Sequence, residues 1–275
     1  MDDPKLAEEA VGASSLLRGL EILRAFRATD SALGNQDLIE RTGLPKATVS
    51  RLTYALASAG YLSYDEPMGR YSIGPSTISL GYSGLSSIPV VRVVQPLLQR
   101  LAERTGVAAA LGARTGLEMI YLANCRAFGP VTLQLNVGSQ LPIWRTAMGL
   151  AYVAEMNSDA RRDLIARLVE REPENAPSIK NSVAEAVDGY RSRGFVCSFG
   201  AWYSYINAIG VAFRPTDGSQ LVALTCGGIS DILSPSDCLG AAGDALLETK
   251  ERLRELLERP ASSSHQPFPH AELRP

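Results

Sequence analysis

The sequence predicts an α/β (α+β) chain of two domains: a small helical one carrying a β-ribbon, and a larger one around a mainly antiparallel sheet. Three observations predict it. The stretch Asn35 to Tyr71 reads as two short helices joined by a tight turn, then strand, turn and strand. Further on, strand-like runs stand on both sides of a helical block and a last helix follows them, the order of an α/β domain. The 275 residues exceed one small helical domain and leave each of two enough chain for a core.

Residues before about Ala13 read as a frayed leader. Ser14 or Ser15 can cap a helix to about Ala28, with Leu16, Leu20 and Leu23 on one stripe, widened by Leu17 and Phe26. That stripe is expected to pack on the next two helices, after a loop from Thr29 to Gly34. Asn35 is a good cap for the second helix, Asp37 suits its first turn, and Thr42-Gly43 ends it. Pro45 sits at or just before a third helix, Lys46 to about Ala59, where its missing N–H costs nothing.

In that third helix Val49, Leu52 and Leu56 recur at helical spacing and face inward. Ala47, Arg51 and Tyr54 then fall near the opposite face, with Lys46, Thr48 and Ser50 at its start or flanks. Such a face suits DNA: a small residue permits close approach, Arg can fork onto guanine, and hydroxyls and Lys can hold phosphates. Gly60 stops the helix, Tyr61 to Tyr64 alternates as a strand, Pro67-Met68-Gly69 turns, and Arg70 to Ile73 returns. A helix-turn-helix followed by a β-ribbon with a basic tip, here Arg70, is a winged helix.

Ser76 to Ser87 reads as a short linker helix, and Val90 to Arg104 as a strongly periodic one whose Leu stripe is most simply core. Ala108 to Ala113 and Glu118 to Ala123 form a hairpin pattern around Thr115-Gly116, and Val131 to Asn136 is a third candidate strand. Helices are expected over Ser158 to about Glu170 and over Ser178 to Arg193. Strands follow at Phe195 to Phe199, Ile206 to Phe213 and Leu221 to Cys226, closed by Gly227-Gly228. Ser236 is expected to cap a final helix from Leu239 to about Leu257.

Composition is that of an ordinary globular chain, with 45% hydrophobic and 20% charged residues and a net charge of -2. The DNA argument therefore rests on local placement, namely Arg41, Lys46 and Arg51 with no acid between them. Four widely spaced cysteines without a C-x-x-C pair suggest neither zinc nor a disulfide framework. The acidic N-terminus is no signal peptide and no apolar run spans a membrane, so a cytoplasmic protein is expected. Both histidines, His265 and His270, fall in a Pro- and Ser-rich tail expected to be disordered. The folded body thus lacks a His base or ligand, and phosphate- or dinucleotide-binding loops are missing too. No cofactor, metal or catalytic residue is expected.

The run LIERTGLPKATVSRL, followed by SAGYL and GRYSIG, resembles the DNA-binding domain of IclR-family bacterial transcription regulators. The LPIWRTAMG loop and the succession RGFV, AIGVAF and LVALTCGG resemble that family's effector domain, so the likeness runs from about Ser14 to Leu257. It implies a winged helix-turn-helix domain over 13–75, a linker and connecting helix over 76–104, an effector domain over 105–258 and the tail 259–275. The effector domain would be GAF- or profilin-like with a small-molecule cavity. Carried over residue by residue, Thr146, Ala147 and Met148 occupy the loop that meets the effector, and Ser198, Ala208, Thr225 and Gly227 the strand positions. Members that bind small carboxylates place Asp, Cys and Ser at several of these. Ser198, Ala208 and Gly227 are smaller or less polar, which argues against an effector such as glyoxylate.

Trp144, Trp202, Tyr203 and Tyr205 suggest a more aromatic wall and an aromatic or largely apolar organic acid. Arg145 is open between meeting its carboxylate and being a solvated loop residue. The expected partners are a double-stranded operator, a small effector and further copies of the chain, as homodimer or homotetramer, and no membrane. An α/β enzyme with a fused interaction domain is the alternative, disfavoured by the missing histidines. A helix-turn-helix that is only structural is disfavoured by Arg51.

Overall fold

The computed structural model describes residues 4–27, 29–128, 135–216 and 218–258, of which 4–13 as backbone alone. The chain divides into two compact units at Ser87/Ile88. The expected tail and most of the candidate strand Val131 to Asn136 lie outside the described residues.

The first unit opens with helix α1 (Pro4–Arg24), so the expected leader is helical from Pro4 and the helix ends earlier than Ala28. Strand β1 (Leu33–Gly34), helix α2 (Asn35–Thr42), helix α3 (Lys46–Ser58) and strands β2 (Leu62–Asp65) and β3 (Arg70–Ile73) follow. The strands form an antiparallel sheet in the order β1-β3-β2, and β1 is an addition that a two-residue strand could not announce in the sequence. Ile22, Leu33, Leu38, Val49, Leu62 and Tyr71 make the core, with Leu23, Phe26, Leu52 and Leu56 packed against it.

The stripe expected on α1 is displaced around the helix. Leu16, Leu17 and Leu20 are exposed, and Ile22 and Leu23 do the packing. At α2 the cap is Gly34, not Asn35: the Asp37 carboxylate accepts from the Gly34 N–H at 2.8 Å. Gly43, in the left-handed region at φ 67°, closes α2 as expected. Gly74 ends the ribbon where a Cβ would sit 2.3 Å from the Gly60 carbonyl oxygen, which ties the ribbon's exit to the end of α3.

Arg41 fastens the α1–α2 connection. Its guanidinium reaches both Asp30 carboxylate oxygens, at 2.5 and 3.1 Å, and the Ala25 carbonyl at 2.9 Å. Helix α4 (Pro75–Ser86) completes the unit and buries none of its residues.

The second unit begins with α5 (Pro89–Thr105), whose Val90, Val94, Leu97, Leu98 and Leu101 are buried. Strands β4 (Ala108–Thr115) and β5 (Glu118–Cys125) and a short β6 (Gln140–Pro142) precede the helical block. That block is α6 (Ala147–Glu155), α7 (Ser158–Arg171) and α8 (Ala176–Arg193). Strands β7 (Val196–Phe199), β8 (Ile206–Phe213) and β9 (Val222–Ile229) complete one antiparallel sheet, ordered β6-β5-β4-β9-β8-β7. Strand β9 runs through Gly227 and Gly228 rather than ending there.

Two helices close the unit, α9 (Pro235–Leu239) and α10 (Ala241–Glu258). The cap is Ser234, in a reciprocal box with Asp237, and Gly240 separates the two helices where one was expected. Helices α5 and α10 pack together against the sheet, and α6 packs on β7, β8 and β9 with α8 beside it.

The Asp30–Arg41 pair gives the first unit an acid limit. The Arg41 hydrogen bond, with the Arg27 N–H second, lowers the Asp30 carboxyl from 3.8 to about 2. A depressed carboxylate contributes stability that is full above its unfolded value and is lost as pH falls through the folded one. Amide exchange in α2 is therefore expected to quicken between about pH 4 and pH 2. In Asp30→Asn it should be faster at neutral pH and flatter across that window.

Candidate functional site

Two places in the molecule gather the residues singled out from sequence. The first is the outer face of α3. Val49 and Thr53 are buried, and Thr53 satisfies its hydroxyl on the Val49 carbonyl at 2.9 Å. With that side committed inward, Lys46, Ala47, Arg51 and Tyr54 stand exposed, Tyr54 by 74%. Thr48 and Ser50 are half-buried at the flanks. Lys46 and Arg51 have no ion-pair or hydrogen-bond partner among the described residues. A free guanidinium on an exposed helix face can fork onto a base edge or a phosphate.

Two other basic residues are placed differently from the sequence expectation. Arg41 is held by Asp30 and is not part of that face. Arg70 opens the returning strand beside the turn, paired across the ribbon with Asp65, and it donates to the Ala32 carbonyl at 3.0 Å and lies 3.4 Å from the Asp37 carboxylate. The turn end of the ribbon is therefore of mixed charge: it exposes Asp65, Glu66 and Met68 beside Arg70, with Asp65 accepting the Met68 N–H at 3.1 Å.

The second place is a cavity in the second unit, between the sheet and the turn that opens α6. Its walls include Arg145, Thr146, Ala147 and Met148 from the turn and helix, and Ser198, Ala208, Thr225 and Gly227 from the strands. The register explains why there is space. Ala108 on β4 pairs with Gly227 on β9, Gly227 with Ala208 on β8, and Ala208 with Ser198 on β7. One cross-strand row thus carries four small residues, where larger ones would fill the gap.

Further along the same face the helix comes close. At Gly210, in the row of Ala110, Thr225 and Val196, a Cβ would sit 2.4 Å from the Ala147 carbonyl oxygen, and at Gly112, one same-face row beyond, the same distance from the Met148 sulfur. Thr146 caps α6, accepting from the Gly149 N–H at 3.3 Å and donating to the Pro142 carbonyl at 2.9 Å.

Trp144 is not among the lining residues. Its ring is buried in the core, its N–H points to Glu172 at 3.4 Å, and the Arg145 guanidinium covers its face at 4.3 Å. Tyr203 and Tyr205 are exposed on the β7–β8 loop, so the aromatic wall reduces to Trp202 and Tyr121. Tyr121 escapes a sequence reading because an aromatic alternating along a strand looks like any core residue. Arg145 brings a cation to the rim, 3.8 Å from the Glu172 carboxylate. The cavity measures about 40 Å³, well below the ~300 Å³ at which ligand pockets begin. A ring could enter only with side-chain movement, and half-buried Trp202 stands on the loop best placed to give it.

Comparison with known proteins covers nearly the whole chain. The profile of the IclR helix-turn-helix domain matches residues 15–66, and that of the bacterial transcriptional regulator IclR C-terminal domain matches 82–252. The HTH-type transcriptional regulator TsaQ1/TsaQ2 of Comamonas testosteroni is 30% identical over 214 residues, 77% of each chain. The crystal structure of an IclR family transcriptional regulator from Brucella abortus aligns over 88% of this chain and 92% of its own, at 35% identity and a TM-score of 0.77. An IclR homologue from Microbacterium hydrocarbonoxydans, crystallised with 4-hydroxybenzoate, covers 88% and 98% with a TM-score of 0.71. Its 20% identity speaks to the fold alone.

The close approach at Gly210 is open to a direct test. Gly210→Ala puts a methyl group into backbone that cannot yield cheaply, so the second unit should lose about 1–3 kcal/mol. Chemical denaturation beside the wild type measures it; an unchanged midpoint would mean that α6 can lift off the sheet at no cost.

Proposed function

The chain belongs to the IclR family of bacterial transcriptional regulators, and from that premise we propose how it reads DNA and what it senses. It is a DNA-binding regulator and not an enzyme. In our reading α3 enters the major groove, with Arg51 on a base edge, Ala47 allowing close approach, Tyr54 beside them, and Lys46, Thr48 and Ser50 holding phosphates. The exposed, unpaired face of α3 is the observation that supports this most. Arg70, whose Nη1 is engaged by Ala32 and Asp37, would turn the rest of its half-exposed guanidinium to a phosphate. The work is that of a cytoplasmic protein, since its DNA lies there, and no described helix is long and apolar enough to cross a membrane.

One such domain makes too few contacts for tight specific binding, so the operator is read as a pseudo-palindrome by a dimer or tetramer. The exposed Leu16, Leu17 and Leu20 of α1, and Ile78, Leu80 and Tyr82 of α4, are apolar surface that a second copy would cover. The effector is an aromatic or largely apolar organic acid in the cavity beneath α6, with Thr146, Ala147, Met148, Ser198, Ala208, Thr225 and Gly227 about it. The aromatic lining and the cation at the rim support that class, and the Microbacterium relative holds an aromatic acid. Its binding alters operator affinity to the extent that it prefers one arrangement of the protein over another.

Arg51→Ala should weaken operator binding by about 1–3 kcal/mol while the domain stays folded. A band shift over a range of salt, on DNA flanking the coding region, distinguishes a base contact from a phosphate contact. The former relaxes discrimination at one position; the latter lowers the salt slope. Operator affinity equal to wild type would remove Arg51 from the interface.

Ala208→Leu should close the cavity from its small-residue row and leave operator binding by the free protein intact. Coupling of effector to operator, typically about 1–3 kcal/mol, should then vanish. An effector acting equally on both proteins would place its site elsewhere.

A further inference from the structure

Building on the reading of this cavity as the effector site, we propose that Tyr121 selects an aromatic acid bearing a ring hydroxyl, which its phenol meets by a hydrogen bond. Four hydroxyl-bearing residues line the cavity, and the protein already uses three of them. Ser198 donates to the Arg145 carbonyl at 3.3 Å, Thr146 to the Pro142 carbonyl at 2.9 Å, and Thr225 to the Ile209 carbonyl at 2.6 Å. Tyr121 differs. It is only 8% exposed, and its hydroxyl has no hydrogen-bond partner among the described residues. Directly across the strand pair is Gly112, with no side chain to offer. A hydroxyl on a largely buried ring that finds no protein partner is uncommon in a folded protein, and on a cavity wall it marks where a ligand group belongs.

The environment also says which group. Arg145 is the sole cation among the described lining residues, and its side chain is 36% exposed. A carboxylate is stabilised more beside that guanidinium, which offers a positive charge and paired donors, than by the single hydrogen bond of a neutral phenol in a largely buried wall. Burial pushes the Tyr121 phenol well above its ordinary value, so it stays neutral. A neutral phenol both donates and accepts, and so does a ring hydroxyl. The acid end therefore faces Arg145 and the hydroxyl end faces Tyr121.

The test is calorimetric titration of the full chain with benzoate, 3-hydroxybenzoate and 4-hydroxybenzoate, wild type beside Tyr121→Phe. Wild type should bind at least one hydroxylated acid about tenfold more tightly than benzoate, the size of one neutral hydrogen bond. In Tyr121→Phe that ratio should fall to within about threefold, benzoate affinity should hold, and the unliganded variant should melt no lower. Ser198→Ala and Thr225→Ala should keep the preference. In the wild type the Tyr121 Cζ resonance should shift with the hydroxylated acid and not with benzoate, a reading that needs no variant. A preference that survives Tyr121→Phe, or that wild type never shows, overturns the role of Tyr121 and leaves the cavity reading standing. If none of the three acids binds wild type, the aromatic-acid reading falls and this inference with it.

Discussion

Backbone lies against backbone where the turn before α6 meets the sheet, and the second unit is arranged around that contact. Gly210 on β8 has no room for a Cβ, which would meet the Ala147 carbonyl at 2.4 Å, and Gly149 within α6 is held as closely against the Ile143 carbonyl of the turn. Because the peptide units touch there, α6 rides lower on the sheet than side-chain packing would allow. Its first residues hang over β8 and β9 at the level of the small-residue row. The cavity is the remainder: a helix held close at one row over a row too short in side chains to reach it.

Much of this architecture was legible in the chain because its signals are local. Apolar spacing located α3 and its inward Val49, Leu52 and Leu56, and Gly43 marked the end of α2. The failures share a cause, since each depends on a partner remote in sequence. Leu16 and Leu20 form a good stripe, yet Ile22, nearly opposite Leu20 on the helix, is the residue that finds the core. Thr53 is buried because it can bond its own helix backbone, an option that a hydrophobic pattern does not register. Trp144 stands in a sequence full of cavity residues, but its ring is buried in the core and its indole N–H is drawn to the half-buried Glu172. The strand residues of the cavity were reachable only by family resemblance. Their common row is a property of register, and register appears once strands are paired.

The same distinction governs charge. Along the chain Arg41, Lys46 and Arg51 look like one basic stretch; in space an acid from before β1 takes the first of them out. Arg70, beside the ribbon's turn, is similarly engaged by Ala32 and Asp37. What remains on α3 is a sparse and unencumbered pair, Lys46 and Arg51, on a chain whose net charge is -2. Weak general attraction to polyanions follows, with positive charge concentrated where a groove would be read. Such a balance favours discrimination between sequences over indiscriminate adhesion to DNA.

The row Ala108, Gly227, Ala208 and Ser198 has a consequence for how this molecule could change over time. These four positions belong to four strands, yet they form one rung, and their backbone bonds are independent of what side chain each carries. A methyl or hydroxyl gained or lost at any of them would reshape the chamber one increment at a time. The helix would stay seated, because its seat is the next rung on the same face, at Gly210. On the proposed reading of this chamber as the effector site, taste for new metabolites could drift while the scaffold that houses it was left undisturbed.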